Sequence, residues 1–160
     1  ESYRPLTWGL SHSADPESYL KVMKPRFLYI ADLDRISGTG SHDSLISYCS
    51  GKVDRCYVDR GCRSPDDLLS GTHIVYVIGT ETAGDLSRYR EGMLSLDIKN
   101  GRVIPGGREP EEVLSEAEDL GFNCCLALNI SAVGTKEGLS PSLLSGLRNA
   151  YGKKLFYGGG

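Results

Sequence analysis

Residues 92–107 read Gly-Met-Leu-Ser-Leu-Asp-Ile-Lys-Asn-Gly-Arg-Val-Ile-Pro-Gly-Gly, and the fold turns on how this stretch is read. Met93 to Leu96 is an apolar run of strand length that stops at one acidic residue, Asp97, followed by Lys99 and a Gly/Pro-rich exit. In a parallel α/β sheet the strands are covered on both faces. An acid placed where such a strand stops points into the crevice above the strand ends, where ligands sit. Asn100-Gly101 is equally a strong turn signal, and on that reading Asp97 and Lys99 only begin a solvated loop. Recurrence of the same arrangement elsewhere in the chain favours the functional reading.

It does recur. Phe27 to Ala31 is a strand that ends in Asp32-Leu33-Asp34, and Arg55 to Asp59 is a second, followed by Arg60-Gly61. Ile74 to Ile78 closes on Gly79-Thr80-Glu81-Thr82, Cys124 to Ile130 leads into a loop over 131–138, and Lys154 to Tyr157 runs into Gly158-Gly159-Gly160. Helical signals lie between the strands. Asp15-Pro16 opens a helix to about Lys24, and His42 to Cys49 reads as a short helix. Ser64-Pro65-Asp66-Asp67 has a cap, a proline and an acidic first turn, which predicts a helix carrying Leu68 and Leu69. Asp85 to Arg90 is a weak helix. Glu109-Pro110 opens a strong one with the stripe Val113, Leu114, Ala117 and Leu120 and a stop at Gly121, and Ser140 to Tyr151 is the last.

Composition bounds the function. The chain has 160 residues, 39% hydrophobic and 24% charged, enough for one real core and one domain. A net charge of −3 gives no electrostatic case for nucleic acid or an anionic membrane surface. No apolar run approaches ~20 residues and the N-terminus lacks a signal-peptide layout, so a cytoplasmic protein without a membrane partner is expected. The five cysteines are odd in number and form no CxxC, which predicts buried reduced thiols and no metal site. The histidines offer no mechanism: His73 starts its strand, and His12 and His42 lie in a loop and at a helix start. Tyr29, Tyr57, Tyr76 and Phe156 recur within strands and read as core.

The alternation of strand and helix with short connections implies a parallel sheet, either doubly wound or a (βα)8 barrel. Polar and glycine motifs recur at the end of every strand, whereas an open sheet concentrates them at one switch point. No GxGxxG follows the first strand, so no nucleotide cofactor is expected. Both features favour the TIM-type barrel.

The same motifs resemble those of the histidine-biosynthesis barrels: phosphoribosylformimino-aminoimidazole-carboxamide ribotide isomerase and the cyclase subunit of imidazole glycerol phosphate synthase. Leu28 to Asp34 is similar to the "hvvDLD" of that family's second strand, Gly61-Cys62-Arg63-Ser64 to "GGIRS", and Ile78-Gly79-Thr80 to "iiGT". Leu94-Ser95-Leu96-Asp97 is similar to "vvaiD", Val133 to Gly138 to "rDGTksG", and Tyr157 to Gly160 to "asGGi". Within this group the chain resembles most the isomerase-related proteins of methane-producing archaea and methylotrophs, through Ser2-Tyr3-Arg4-Pro5-Leu6.

The resemblance implies a single ribulose-phosphate-binding-type barrel domain over residues 1–160, holding strands two to seven of a barrel that needs eight strands and roughly 200 or more residues. Strands one and eight then lie outside this chain, and the open edges can be covered by a second copy. The implied reaction is acid–base isomerisation of an aminoaldose phosphate to an aminoketose phosphate by two carboxylates. Asp97 matches the one that the resemblance puts at the end of strand five, and the other, at the end of strand one, is not among these residues. Asp32 is either a supporting acid or a cap on the Ser37–Gly40 loop. Backbone N–H groups at Gly134-Thr135 and Gly158-Gly159-Gly160 suit one phosphate, and Gly61, Gly79 and Thr80 a second. Asp59, Lys99 and Arg63 are expected to contact the substrate, Lys99 and Arg63 as anion contacts or else as ordinary surface residues. Asp59-Arg60 stands where the isomerases have glycines, and Ala132-Val133 where they have Arg-Asp. Both departures point to a different substrate or to lost catalysis. A different step in cofactor biosynthesis and a non-catalytic protein remain as alternatives to the phosphate-binding isomerase.

Overall fold

In a computed structural model, residues 13–135 and 140–159 are described. Six strands run parallel: β1 (Phe27–Ala31), β2 (Arg55–Asp59), β3 (Ile74–Gly79), β4 (Met93–Lys99), β6 (Cys124–Asn129) and β7 (Lys154–Gly158). The two-residue β5 (Arg102–Val103) folds back antiparallel on β4. Asn100 and Gly101, at φ 52° and 76°, make the turn between them, so the turn signal and the buried acid are both real. The helices are α1 (Pro16–Met23), α2 (Leu33–Ser37), α3 (Asp43–Ser50), α4 (Thr80–Ala83), α5 (Pro110–Ala117) and α6 (Pro141–Ala150).

The sheet order is β1-β2-β3-β4-β6-β7, and β1 does not pair with β7. The expected (βα)8 barrel is therefore corrected to a curled, open α/β sheet, a half-barrel. Closure needs strand tilt and stagger to bring the first strand against the last, a property of the whole sheet. The recurring strand-end motifs carry no information about it. They mark only that every strand runs the same way and delivers its C-terminal end to one rim.

Register fixes which side chains share a face, because parallel partners point the same way. One face carries Leu28, Ile30, Cys56, Val58, Ile78, Leu94, Leu96, Cys125 and Ala127. These pack with Leu20 of α1, Ile46 of α3, Leu114 of α5 and Leu147 of α6 in two clusters. Each fully buried Leu or Ile there contributes about 1.5–3 kcal/mol. The helices start where sequence places them: Asp15 accepts the Ser18 N–H at 2.8 Å, Ser140 accepts the Leu143 N–H at 3.2 Å, and proline fills the first turn in α1, α5 and α6. The helix expected to carry Leu68 and Leu69 is a single 3-10 turn over Pro65–Asp67, and the Asp85–Arg90 helix shrinks to Leu86–Arg88.

The other face carries Tyr29, Tyr57, Asp59, Val77, Gly79, Ser95, Asp97, Leu128, Phe156 and Gly158. Tyr29 is not core: it is 42% exposed, while Tyr57 beside it and Phe156 on β7 are half-buried on this inner face. Tyr76 alone of the four aromatics packs against the helix-side core.

Candidate functional site

Asp97 lies near the end of β4 and is only 3% exposed. Its position follows from period two along the strand, since Ser95 and Asp97 share the inner face while Leu94, Leu96 and Ile98 face the helices. The Ser95 hydroxyl donates to Asp97 Oδ1 at 2.7 Å. The Glu81 N–H and the Thr80 hydroxyl donate to Oδ2 at 3.0 and 3.3 Å. Thr80 Oγ1 in turn accepts the Asp97 N–H at 3.0 Å. Burial, with the nearby Glu81 charge, raises the carboxyl above the usual range, and the three donors hold it back. Oδ2 rests against Gly79, where an added Cβ would stand 2.8 Å from it.

Gly79 has ordinary extended backbone, φ −82° and ψ 135°, so the glycine is there for space. Gly79→Ala is expected to keep the fold and to displace the Asp97 carboxylate, so that any activity depending on that group falls by about 10²-fold. Steady-state kinetics beside a melting curve separates the two effects.

Asp59 ends β2 on the same face, 7% exposed. Its Oδ2 accepts the Tyr29 hydroxyl at 3.3 Å and its Oδ1 the Gly61 N–H at 3.3 Å. Burial first, then the Asp97 charge, pushes its pKa up to about 6. Arg60 goes the other way: its Nη2 reaches both oxygens of Asp43, at 2.6 and 2.8 Å, on α3. Of Asp59 and Arg60, therefore, only Asp59 faces the mouth.

Asp32 is placed apart from this pair. It is one residue out of phase with the inner face, and its N–H extends the ladder to the Asp59 carbonyl at 2.8 Å. Its side chain caps α2 through the Arg35 N–H at 3.2 Å, and takes the His42 N–H at 2.8 Å and the His42 ring Nδ1 at 3.0 Å. These contacts make Asp32 the cap of α2 and its tie to His42, and none of them is to residues 37–40. Burial opposes its ionisation, but the hydrogen bonds of His42 and Arg35 prevail and the pKa falls. That of His42 rises, chiefly through the hydrogen bond to Asp32 and also through the charges of Asp32 and Asp34. A raised histidine stabilises the fold fully below its unfolded pKa, about 6.5, and loses that contribution as pH climbs through the folded value. Urea midpoints are accordingly expected to fall on going from about pH 6 to 8, with the part of that fall due to His42 absent in His42→Ala.

The remaining predicted contacts divide. Thr80 serves Asp97 through its hydroxyl. Arg63 donates from its guanidinium to the carbonyls of Gly61 and Ile36 at 3.2 and 3.1 Å, holding the loop after β2 to the C-terminal end of α2. Lys99 is exposed two residues beyond Asp97. Gly134, at φ +79°, turns the chain after β6 in open space. The N–H and hydroxyl of Thr135 both donate to the Ala132 carbonyl, at 3.0 and 2.8 Å. Gly158 and Gly159 lie against the end of β6, with Gly159 at φ +94°. Gly160 lies outside the described residues, as do residues 136–138 of the loop after β6.

Ser95, Tyr29 and the Glu81 N–H belong to the site and were not foreseen. The signal for Ser95 and Tyr29 is the alternation itself, which puts both on the face of the two acids. The five cysteines are free, and burial pushes Cys56 and Cys62 up to about 11, too high for thiolate chemistry at neutral pH. Among the described residues no cluster of three or more His, Cys, Asp or Glu is arranged to hold a metal ion, and no helix is long and apolar enough to cross a membrane.

No family model matches the chain. An uncharacterized protein of Methanocaldococcus jannaschii is similar to it, 29% identical over 172 aligned positions that take in 100% of this chain and 73% of the relative.

Proposed function

We infer that this protein is an acid–base enzyme acting on a phosphorylated small molecule, an isomerase of the aldose–ketose type whose substrate is an aminoaldose phosphate. Asp97 is one of its two carboxylates. The observation that carries this reading is the way Asp97 is held: buried at the ligand end of a central strand, fixed by three donors, and seated against a glycine that leaves its Oδ2 room. Fixed carboxylates with raised pKa values are suited to moving protons near neutrality. The phosphate is assigned to the rim beyond β6 and β7, where Gly134, Gly158 and Gly159 bring backbone close to the mouth without side chains.

The experiment is an isomerisation assay with the aminoaldose phosphate of histidine biosynthesis, run alongside inorganic phosphate as a competitor. Turnover that phosphate inhibits and that requires Asp97 supports the reading. A wild-type protein that neither binds nor converts any aminoaldose phosphate overturns it.

A further inference from the structure

We propose that Asp59 is the second acid–base group of this site, the proton donor opposite Asp97, and that Tyr29 positions it. The proposal rests on the reaction class given above and gives the work on the other end of the substrate to Asp59 in place of the strand-one acid that the resemblance implies.

Placement comes first. Asp59 and Asp97 lie on one face at the same end of the sheet, on strands separated by β3. In the ladder Asp59 is level with Val77 and Val77 with Met93, four residues before Asp97, so the two acids face one mouth from staggered positions two strands apart, near enough for the Asp97 charge to act on Asp59. Toward that end the intervening strand presents Val77 and Gly79 on that face, after Val75. Charge comes second. Among the described residues no cation pairs with Asp59, and the neighbouring Arg60 is committed to Asp43. A buried carboxylate with no cation costs stability, so a fold that needed only packing here would gain from an apolar residue. Among the described residues its one side-chain partner is the Tyr29 hydroxyl, on the adjacent strand β1.

The two acids differ in what surrounds them. Asp97 accepts from two hydroxyls and a backbone N–H, which favour its ionised form. Asp59 has two long contacts of 3.3 Å, and its ionisation is opposed by burial and by the Asp97 charge. Environments that drive two carboxyls apart assign the acid and the base.

The proton steps balance. The Asp59 carboxyl gives its proton to the ring oxygen of an aldosylamine as the C1–O bond breaks, while the nitrogen lone pair forms C1=N. The Asp97 carboxylate then takes the C2 proton. That C–H pair becomes C1=C2 and the C=N pair returns to nitrogen. The enaminol becomes the ketose as C1 takes up a proton and the C2 hydroxyl loses one, so no oxidant or reductant enters.

The test is the pH dependence of kcat/KM for the whole chain on the aminoaldose phosphate, in wild type, Asp59→Asn and Tyr29→Phe. In the wild type the rate falls as pH rises through the Asp59 ionisation, at about 6. Asp59→Asn is expected to lose about 10²–10⁴-fold and to lack that limb. Tyr29→Phe removes a hydrogen bond to the ionised form and should move the limb to higher pH. Asp59→Asn should also melt no lower than wild type at neutral pH, the reverse of what loss of a structural carboxylate does. An active wild type whose high-pH limb is unchanged in both variants overturns the role of Asp59 alone. An inactive wild type overturns the reaction itself, and with it this assignment. Should Asp59→Asn fail to fold, the direction of the Tyr29→Phe shift decides.

Discussion

Asp97→Asn is expected to reduce turnover by about 10³-fold while leaving the protein folded. The amide is nearly the shape of the carboxylate, and its oxygen can accept the Glu81 N–H that Oδ2 accepts now at 3.0 Å. Its NH2 group can donate to Ser95 Oγ once that hydroxyl turns. What the amide lacks is a basic oxygen for the C2 proton. Because Asp97 is 3% exposed and its ionisation is opposed by burial, removing the charge relieves a cost, and the melting temperature should hold or rise. A large loss of activity without a loss of stability is the signature of a group kept for chemistry. If melting temperature and turnover fell together, Asp97 would instead be holding β3 to β4.

Gly159→Ala is expected to have the largest effect on stability. Two independent costs coincide there. Its φ of +94° lies where L residues are strained, and an added Cβ would meet the Asn129 carbonyl oxygen at 2.2 Å and its carbon at 2.8 Å. Both atoms are backbone at the end of β6, so no side chain can swing aside. The end of β7 must leave β6, at a cost of roughly 2–4 kcal/mol. For a chain of this size that is on the order of 10 °C in Tm, read by circular dichroism. Gly134→Ala is the companion: its φ of +79° carries the strain, yet nothing lies within 4 Å of the added carbon. The smaller loss expected there separates strain from collision.

The positions of the strands were legible because each is a dense apolar run bounded by glycine or an acid, and the observed bounds of β1 and β2 coincide with Phe27–Ala31 and Arg55–Asp59. Helix starts with a cap and a proline were equally legible. Two short helices were not. α2 and α4 have five and four residues, too few to show a period, and they exist because tertiary partners organise them. Asp32 ties the start of α2 to His42, and Asp97 receives the Glu81 N–H at the start of α4. Closure of the sheet was illegible for a different reason. Local patterns state the direction of each strand and nothing about whether the first meets the last. At the site, the end of a central strand gave Asp97 away. The mouth around it depends on side chains from four strands, and only register brings Tyr29, Asp59, Gly79 and Ser95 to one face.

Asp59-Arg60 shows how a departure from a resembling pattern is to be read. In sequence the two residues stand together where the resembling isomerases have glycines, with nothing to tell their directions apart. Alternation along β2 sends Asp59 inward, and Arg60, just past the strand, is drawn to Asp43 on the helix side. The change thus adds one buried acid to the mouth and one ion pair to the scaffold.

The central claim, that Asp97 moves a carbon-bound proton of a phosphorylated aminoaldose, is tested most directly by running the reaction in deuterium oxide and following the label by proton NMR. The expected result is deuterium at C1 of the aminoketose phosphate with wild-type protein and none above background with Asp97→Asn. Deuterium entering at the wild-type rate with Asp97→Asn, or a wild type that leaves the substrate unlabelled and unconverted, would contradict it.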